Sequence, residues 1–154
     1  MIRWECHPYG ELTPGELYEI LALRESVFVV EQRCPYQDAD GRDIHAWHLM
    51  GRDETGRLIA YLRIIAPGHR FPDPSIGRVV IVPSFRGQGF GKVLMLEGIR
   101  LTQDLFPGQP IHISAQHYLQ RFYEELGFSL VREGDPYDED GIPHVEMIYP
   151  GRRP

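Results

Sequence analysis

The succession of apolar and polar positions divides the chain into short strand-like and helix-like runs. Residues 2–6 predict a first strand. The next apolar stretch, TPGELYEILALRESVFVVEQ, opens on a helix-start signal. Thr13 can cap, Pro14 suits the first helical position, and Glu16 completes a capping box. Leu17, Ile20, Leu21 and Arg24 then share one mostly apolar face, so a helix, or a pair of short helices, is predicted to about Gln32. AWHLMGRDETGRLIAYLRIIAP reads as a hairpin whose two apolar arms flank the polar turn of residues 53–56. Residues 76–82 form a β-branched run without polar alternation, as in a strand buried on both faces. Over residues 91–106 the period lengthens. Leu94, Gly98, Leu101 and Leu105 fall on one helical stripe, widened by Met95, Ile99 and Phe106. Residues 111–116 alternate as a strand. YLQRFYEELG sets Leu119, Phe122, Tyr123 and Leu126 on one face, with Gly127 as a natural helix end. The tail predicts a last strand pair, about 128–132 and 145–149, joined by a polar loop. Strand, helices, three strands, helix, strand, helix and two strands require a sheet protein of the α+β or α/β class.

Composition narrows this picture. With 154 residues, 42% of them apolar, the chain can build one domain with a substantial core but not two large ones, so residues 1–154 are read as a single domain. No window reaches the roughly 18 uncharged apolar residues of a membrane span. The opening MIRWECHPYG lacks the basic-then-apolar layout of a secretory signal. Cys6 and Cys34 form neither a CxxC pair nor a disulfide framework, which suits a reducing compartment, so a cytoplasmic protein is expected. A net charge of -6 argues against a nucleic-acid partner and is compatible with a cationic small molecule.

The densest chemical signal lies in GRVVIVPSFRGQGFGKVLM, where a strand gives way to glycines and then to a helix. Free N–H groups and the helix dipole favour an anion at such a helix start, and glycines let the backbone approach it. The dinucleotide pattern GxGxxG fails, because Lys92 stands where the third glycine belongs. The Walker A pattern fails as well: Arg86 occupies its first glycine position and Val93 replaces its magnesium-binding Ser or Thr, which disfavours a nucleotide hydrolase.

The pattern that fits is Arg-Gly-x-Gly-x-Gly. It resembles the acetyl-CoA pyrophosphate loop of the GNAT N-acetyltransferase family, Arg/Gln-x-x-Gly-x-Gly/Ala, with Arg86, Gly89 and Gly91 at the three fixed positions. The preceding VVIVPSF resembles the family's strand, including its proline. The resemblance implies the GNAT acyl-CoA N-acyltransferase fold, a mixed and mostly antiparallel central sheet flanked by helices. It implies an enzyme that moves acetyl from acetyl-CoA to an amine. Arg86, Gly87, Gln88, Gly89, Phe90, Gly91 and Lys92 would hold the pyrophosphate, and the main-chain N–H groups of Ile81 and Val82 would face the oxyanion of the thioester carbonyl. AQHYLQRFYEELGF is similar to the family's strand end, short helix and Gly-Phe. Tyr123, four residues before Gly127, then stands where many relatives hold a tyrosine near the CoA sulfur, and its implied role is general acid. A thiol near pKa 8.5 and a phenol near 10 make that transfer plausible in energy. Gln116 takes the strand-end place of an Asn in other relatives, with a cofactor-orienting role.

VFVVEQRCPYQDADGRDIHAW resembles the VFVVEQ-x-CPYQ-x-x-D signature of the ElaA-like branch, matching at Glu31, Gln32, Cys34, Pro35, Tyr36, Gln37 and Asp40; DGIPHVEM near the end resembles that branch too. In GNAT folds the first helical region and the last strand pair line the acceptor site. The resemblance therefore makes Glu31 a candidate base, and Gln32, Asp38, Asp40 and His144 candidates for binding the acceptor, a small-molecule or peptide amine. An alkylammonium with a pKa near 10.4 must lose a proton before it attacks. Some relatives carry a Glu for this on the central strand, where this chain has Arg78. DADGRD fails as a calcium loop at Arg42 and Leu49. His45 and His48 have no third His in register, so no metal is expected. Cys34 reads as a small buried residue, because GNAT chemistry normally proceeds by direct transfer. The resemblance leaves room for a homodimer. The rival function is a non-catalytic acyl-CoA-binding module, which would not need the polar 31–40 segment.

Overall fold

A computed structural model describes residues 1–151. Strand β1 (Arg3–Pro8) leads into helix α1 (Pro14–Arg24), whose start carries the expected capping box: Thr13 Oγ1 accepts from Glu16 N at 3.1 Å and Glu16 Oε1 accepts from Thr13 N at 2.9 Å. The helix continues as a π-helical segment, Glu25–Glu31. Strands β2 (Ala46–Arg52) and β3 (Leu58–Ile65) form the predicted hairpin, followed by β4 (Ser75–Ile81), helix α2 (Phe90–Leu105) and β5 (Ile111–Gln116). Short helix α3 (Gln120–Glu125), β6 (Ser129–Leu130), β7 (Tyr137–Glu139) and β8 (Ile142–Tyr149) complete the order. The sheet runs β1-β2-β3-β4-β5-β8-β6, with β7 also paired to β8. Every pairing is antiparallel except β4 with β5. This is the mixed, helix-flanked sheet of the GNAT fold.

Two departures from the expected elements lie in the tail. The strand expected at 128–132 shrinks to two residues, and the polar loop folds into β7. Asp140 and Gly141 both have positive φ (54° and 82°), the requirement of a two-residue Asp-Gly hairpin turn. That dipeptide was visible in the sequence, but the arm before it, Tyr137–Glu139, is too polar to read as a strand.

The two faces of the sheet bury separate helices. Leu49, Leu62 and Ile76 belong to the larger core with Leu94, Met95 and Ile99 of α2. Met50, Tyr61 and Val80 face the other way, with Ile20 of α1 and Val27 of the π-helical segment. Gly98 sets the approach of α2, since a Cβ there would lie 2.7 Å from Leu62 Cδ2. Among the described residues no helix is long and apolar enough to cross a membrane.

The β4–β5 pair decides where chemistry can occur. Its only ladder partners are Ser75 and His112, with His112 N bonding Pro74 O at 2.9 Å. Beyond that point the two strands diverge. On its other edge β4 carries a bulge: Tyr61 pairs with Val80 and Arg63 with Gly77, leaving Arg78 and Val79 opposite Leu62 alone. Arg78 takes φ 53°, a left-handed conformation that is costly for a non-glycine residue.

Candidate active site

The divergence of β4 and β5 opens a cleft of about 380 Å³. Of the residues singled out in the sequence, Glu31, Gln32, Ile81, Arg86, Gly91, Gln116, Tyr123 and His144 line it. They arrive from the π-helical segment, β4, the glycine loop, β5, α3 and β8. Residues more than a hundred positions apart, Glu31 and His144, therefore meet only because the sheet splits.

At one end stands the glycine loop. Gly87 and Gly89 have φ of 77° and 83°, and a Cβ at either would meet nothing within 4 Å, so their surface is open to a ligand. Gly89 is the N-cap of α2 and supplies no side-chain cap. The N–H groups of Phe90, Gly91 and Lys92 precede the first intrahelical bonds and need an outside acceptor. The first turn holds no acidic residue and includes Lys92, which opposes the helix dipole unless an anion is bound there. These features fit a pyrophosphate. Gln88 and Lys92 are exposed, and Phe90 tilts against Phe85 with ring centroids 6.0 Å apart.

Antiparallel geometry fixes the free backbone donor. Val80 faces Tyr61 and Ile81 faces Ala60, while Val82 N bonds Ile59 O at 2.9 Å. Val82 N–H, expected to face a carbonyl oxygen, is therefore spent on β3. In the alternation of an antiparallel ladder the N–H and C=O of Ile81 point to the opposite edge, toward the split. Ile81 O there accepts from Arg86 Nε at 3.0 Å. The sequence could not distinguish the two, since both are backbone groups.

Arg86 also clasps Glu31, with Nη1–Oε1 at 3.0 Å and Nη2–Oε2 at 2.9 Å. Glu31 thus fastens the π-helical segment to the glycine loop. Gln116 Nε2 donates to Gln32 Oε1 at 3.4 Å across the cleft. Tyr123 is 7% exposed, edge-on to Phe122 and Phe128. Burial, reinforced by nearby Tyr118, pushes its phenol pKa above the ordinary value, so it stays protonated.

Asp38 and Asp40 belong to an ionic network that periodicity gave no hint of; Asp38 is buried in it, while Asp40 is half-buried and lines a second cleft beside the first. Arg24 Nε donates to Asp38 Oδ2 at 2.7 Å and Arg24 Nη1 to Asp43 Oδ1 at 2.7 Å. Arg63 holds Asp40 through both Nη atoms (2.8 and 2.5 Å) and Asp43 at 2.8 Å. Arg78 Nε lies 2.8 Å from Asp38 Oδ1. Arg24 and Arg63 are fully buried, and with Arg78 and Arg42, the latter 3.4 Å from Asp40, four arginines surround the three aspartates. Burial works to raise the Asp40 carboxyl, but the paired Arg63 guanidinium outweighs it and holds the pKa well below the usual range; Asp43 is lowered likewise by Arg24 and Arg63. The ElaA-type signature therefore anchors the segment after α1 to β3 and to the β4 bulge, and Arg78 is drawn into the network.

The last strands supply a polar wall that the sequence reading missed apart from His144. Glu139 Oε1 accepts from Arg70 Nη2 at 2.7 Å, Glu139 Oε2 lies 3.2 Å from His144 Nε2, and Ser114 Oγ lies 2.5 Å from Tyr137 Oη. A second cleft of about 520 Å³ adjoins the first and shares Tyr36, Arg70, Arg78, Glu139 and Asp140 with it. Cys34, buried, donates its thiol to Asp140 O at 2.6 Å and ties the two walls together.

A mixed sheet split after its parallel pair, with an uncapped glycine-rich helix start at the mouth, defines an acyl-CoA-dependent acyltransferase architecture. Residues 27–149 match the acetyltransferase (GNAT) domain model. Protein ElaA of Escherichia coli (strain K12) is 40% identical over 149 residues, spanning 96% of this chain and 95% of that protein. An acyl-CoA N-acyltransferase from Pseudomonas aeruginosa has the same fold at TM-score 0.90 and 42% identity, over 97% of this chain and 99% of that one. The crystal structure of Escherichia coli ElaA gives 0.89 and 39% over the same shares. The chain belongs to the GNAT acetyltransferase family, in its ElaA-like branch. The family uses an acyl-CoA donor and an acceptor substrate.

Proposed function

We propose that this chain, acting as one N-acetyltransferase domain, transfers acetyl from acetyl-CoA to a primary amine. The observation that carries the reading is the β4–β5 split, which gathers an uncapped helix start, a free Ile81 N–H and a buried phenol in one cleft. Acetyl-CoA supplies the activated acyl group as a thioester. The N–H groups of the 86–92 loop bind the pyrophosphate, with Arg86 and Lys92 adding positive charge and Glu31 keeping the Arg86 guanidinium in position. Ile81 N–H donates to the carbonyl oxygen as charge develops on it. Tyr123 hands its proton to the departing sulfur. Gln116 and Gln32 border the path of the pantetheine arm and the acceptor. Asp38 and Asp40 shape the acceptor side through the arginine network rather than by touching the amine.

Calorimetric titration with acetyl-CoA, wild type beside Gly89→Glu, tests the donor half. A side chain at Gly89 enters open space but strains a backbone held at φ 83° by about 1–3 kcal/mol, so Gly89→Ala, with the same strain and no charge, is measured beside it; the carboxylate of Gly89→Glu would further oppose the pyrophosphate at a cost of about 1–4 kcal/mol per charge pair at 4 Å. Wild-type binding that Gly89→Glu weakens by about tenfold or more supports the reading. No binding to the wild type removes it, and binding without transfer to any amine would leave an acyl-CoA-binding module.

A further inference from the structure

We propose that Glu139 and His144 together accept the proton of the incoming amine, filling the role for which the central strand, with Arg78, has no carboxylate. The inference rests on the acetyl-transfer reading above. Three carboxylates line the main cleft: Glu31, Glu139 and Asp140. Glu31 is clasped by Arg86 at the loop end, and Asp140 lies exposed on the hairpin turn. Glu139 stands in the wall common to both clefts, where an acceptor entering one would meet a donor held in the other.

Its hydrogen bonding offers one proton a place between two acceptor atoms. His144 Nδ1 lies 2.7 Å from Ile142 O, and since a carbonyl only accepts, Nδ1 carries hydrogen. His144 Nε2 then faces Glu139 Oε2 at 3.2 Å. A carboxylate also only accepts, so that contact becomes a hydrogen bond when a proton lies between the two atoms. Without it, two lone pairs oppose each other in a half-buried wall. Arg70 holds the other oxygen of Glu139, and Ser114 Oγ lies 3.4 Å from Oε2; both orient the carboxylate. The other groups facing the pair are Tyr137, whose ring lies 6.2 Å from that of His144, and Gln116, its cross-strand neighbour on β5. Burial, the largest influence on Tyr137, keeps its phenol protonated, so it adds no competing charge.

The proton balance closes. The ammonium nitrogen loses two protons in all. The first passes to the Glu139–His144 pair and from there to water. The nitrogen lone pair then forms the C–N bond as the C–S bond breaks. Tyr123 protonates the thiolate, and the second nitrogen proton restores the phenol. One proton is released per turnover.

The test measures acetyl transfer to butylamine, lysine and spermidine by wild type, Glu139→Gln, Glu139→Ala, His144→Gln and Asp138→Asn. Asp138 lies on the same strand with its side chain alternating to the other face. Glu139→Gln and His144→Gln should lower kcat about 100-fold or more while acetyl-CoA affinity by calorimetry stays within about twofold; Asp138→Asn should remain within about threefold of wild type. Formate should restore part of the turnover of Glu139→Ala and leave the wild type unchanged, a response that a purely structural role would not give. Glu139→Gln turning over within about threefold of wild type overturns the assignment, as does a loss that formate does not rescue. A wild type that binds acetyl-CoA but acetylates none of the amines overturns the pair and leaves the donor site standing. A wild type that binds no acetyl-CoA removes the donor reading itself.

Discussion

Replacing Tyr123 by Phe deletes one oxygen from a side chain that is 7% exposed. The edge-on packing on Phe122 and Phe128, with centroids at 5.1 and 5.8 Å, depends on the ring and survives the change. The phenol makes no hydrogen bond to protein among the described residues, so stability should shift by less than about 1 kcal/mol, a few degrees at most in Tm. The rate should respond differently. Loss of a positioned general acid costs 100- to 10,000-fold, about 2.7–5.4 kcal/mol of barrier. Burial raises the Tyr123 pKa and makes the phenol a weaker acid toward a thiolate whose own pKa is near 8.5, which places the expectation at the lower end, about 100-fold in kcat. The raised pKa also fixes the sign of the pH effect. The acid form persists until pH passes the raised value, so Tyr123 itself imposes no alkaline fall below about pH 10. The assay is thiol release from acetyl-CoA with an accepting amine, with the dissociation constant measured beside it. A kcat within about threefold of wild type, or an affinity loss as large as the rate loss, would refute the general-acid reasoning.

Other expectations follow from the ionic network and the core. Asp43→Ala leaves Arg24 and Arg63 each short of a partner in a buried site, and should destabilise the fold by about 3–5 kcal/mol in denaturant titration, with a change under about 1 kcal/mol contradicting the network's importance. Because Asp40 and Asp43 have depressed pKa values, their stabilisation is fully present above the ordinary aspartate value near 3.9 and is lost as pH falls below it; unfolding free energy should therefore drop steeply on acidification, less so in Asp43→Asn. Burial pushes the Cys6 thiol up to about 11, with Glu97 adding to it, so alkylation of Cys6 by iodoacetamide at neutral pH should be far slower in the native protein than in denaturant; equal rates would place Cys6 in a different environment.

Much of the scaffold was legible because its signals are local. The Thr13–Glu16 box starts α1, the Asp53–Gly56 turn closes the β2–β3 hairpin, and the Leu94–Leu105 stripe lies on the buried face of α2. The glycine loop was legible for the same reason: positive φ at Gly87 and Gly89 is a backbone demand that the residue type itself advertises. Glu139, Arg70 and Ser114 were not legible. Each is an ordinary polar residue in a polar stretch, and their meeting depends on a two-residue turn and on the register of β5 with β8. Asp38 and Asp40 show the converse. They lay in the right segment for an acceptor site, yet two fully buried arginines, invisible to a reading that assigns charge to the surface, bury Asp38 and pin Asp40 at the edge of the second cleft.

The sequence by itself determined the order of elements up to the last strands, the glycine-rich start of α2 and membership of the family, since capping, turn chemistry and helical or strand period act over a few residues. The tertiary structure alone decided which backbone N–H is free, which acids are neutralised, and where the sheet opens. Those outcomes depend on ladder alternation, on a bulge at Arg78 and on the single β4–β5 partner pair, and each is settled by strands distant in the chain.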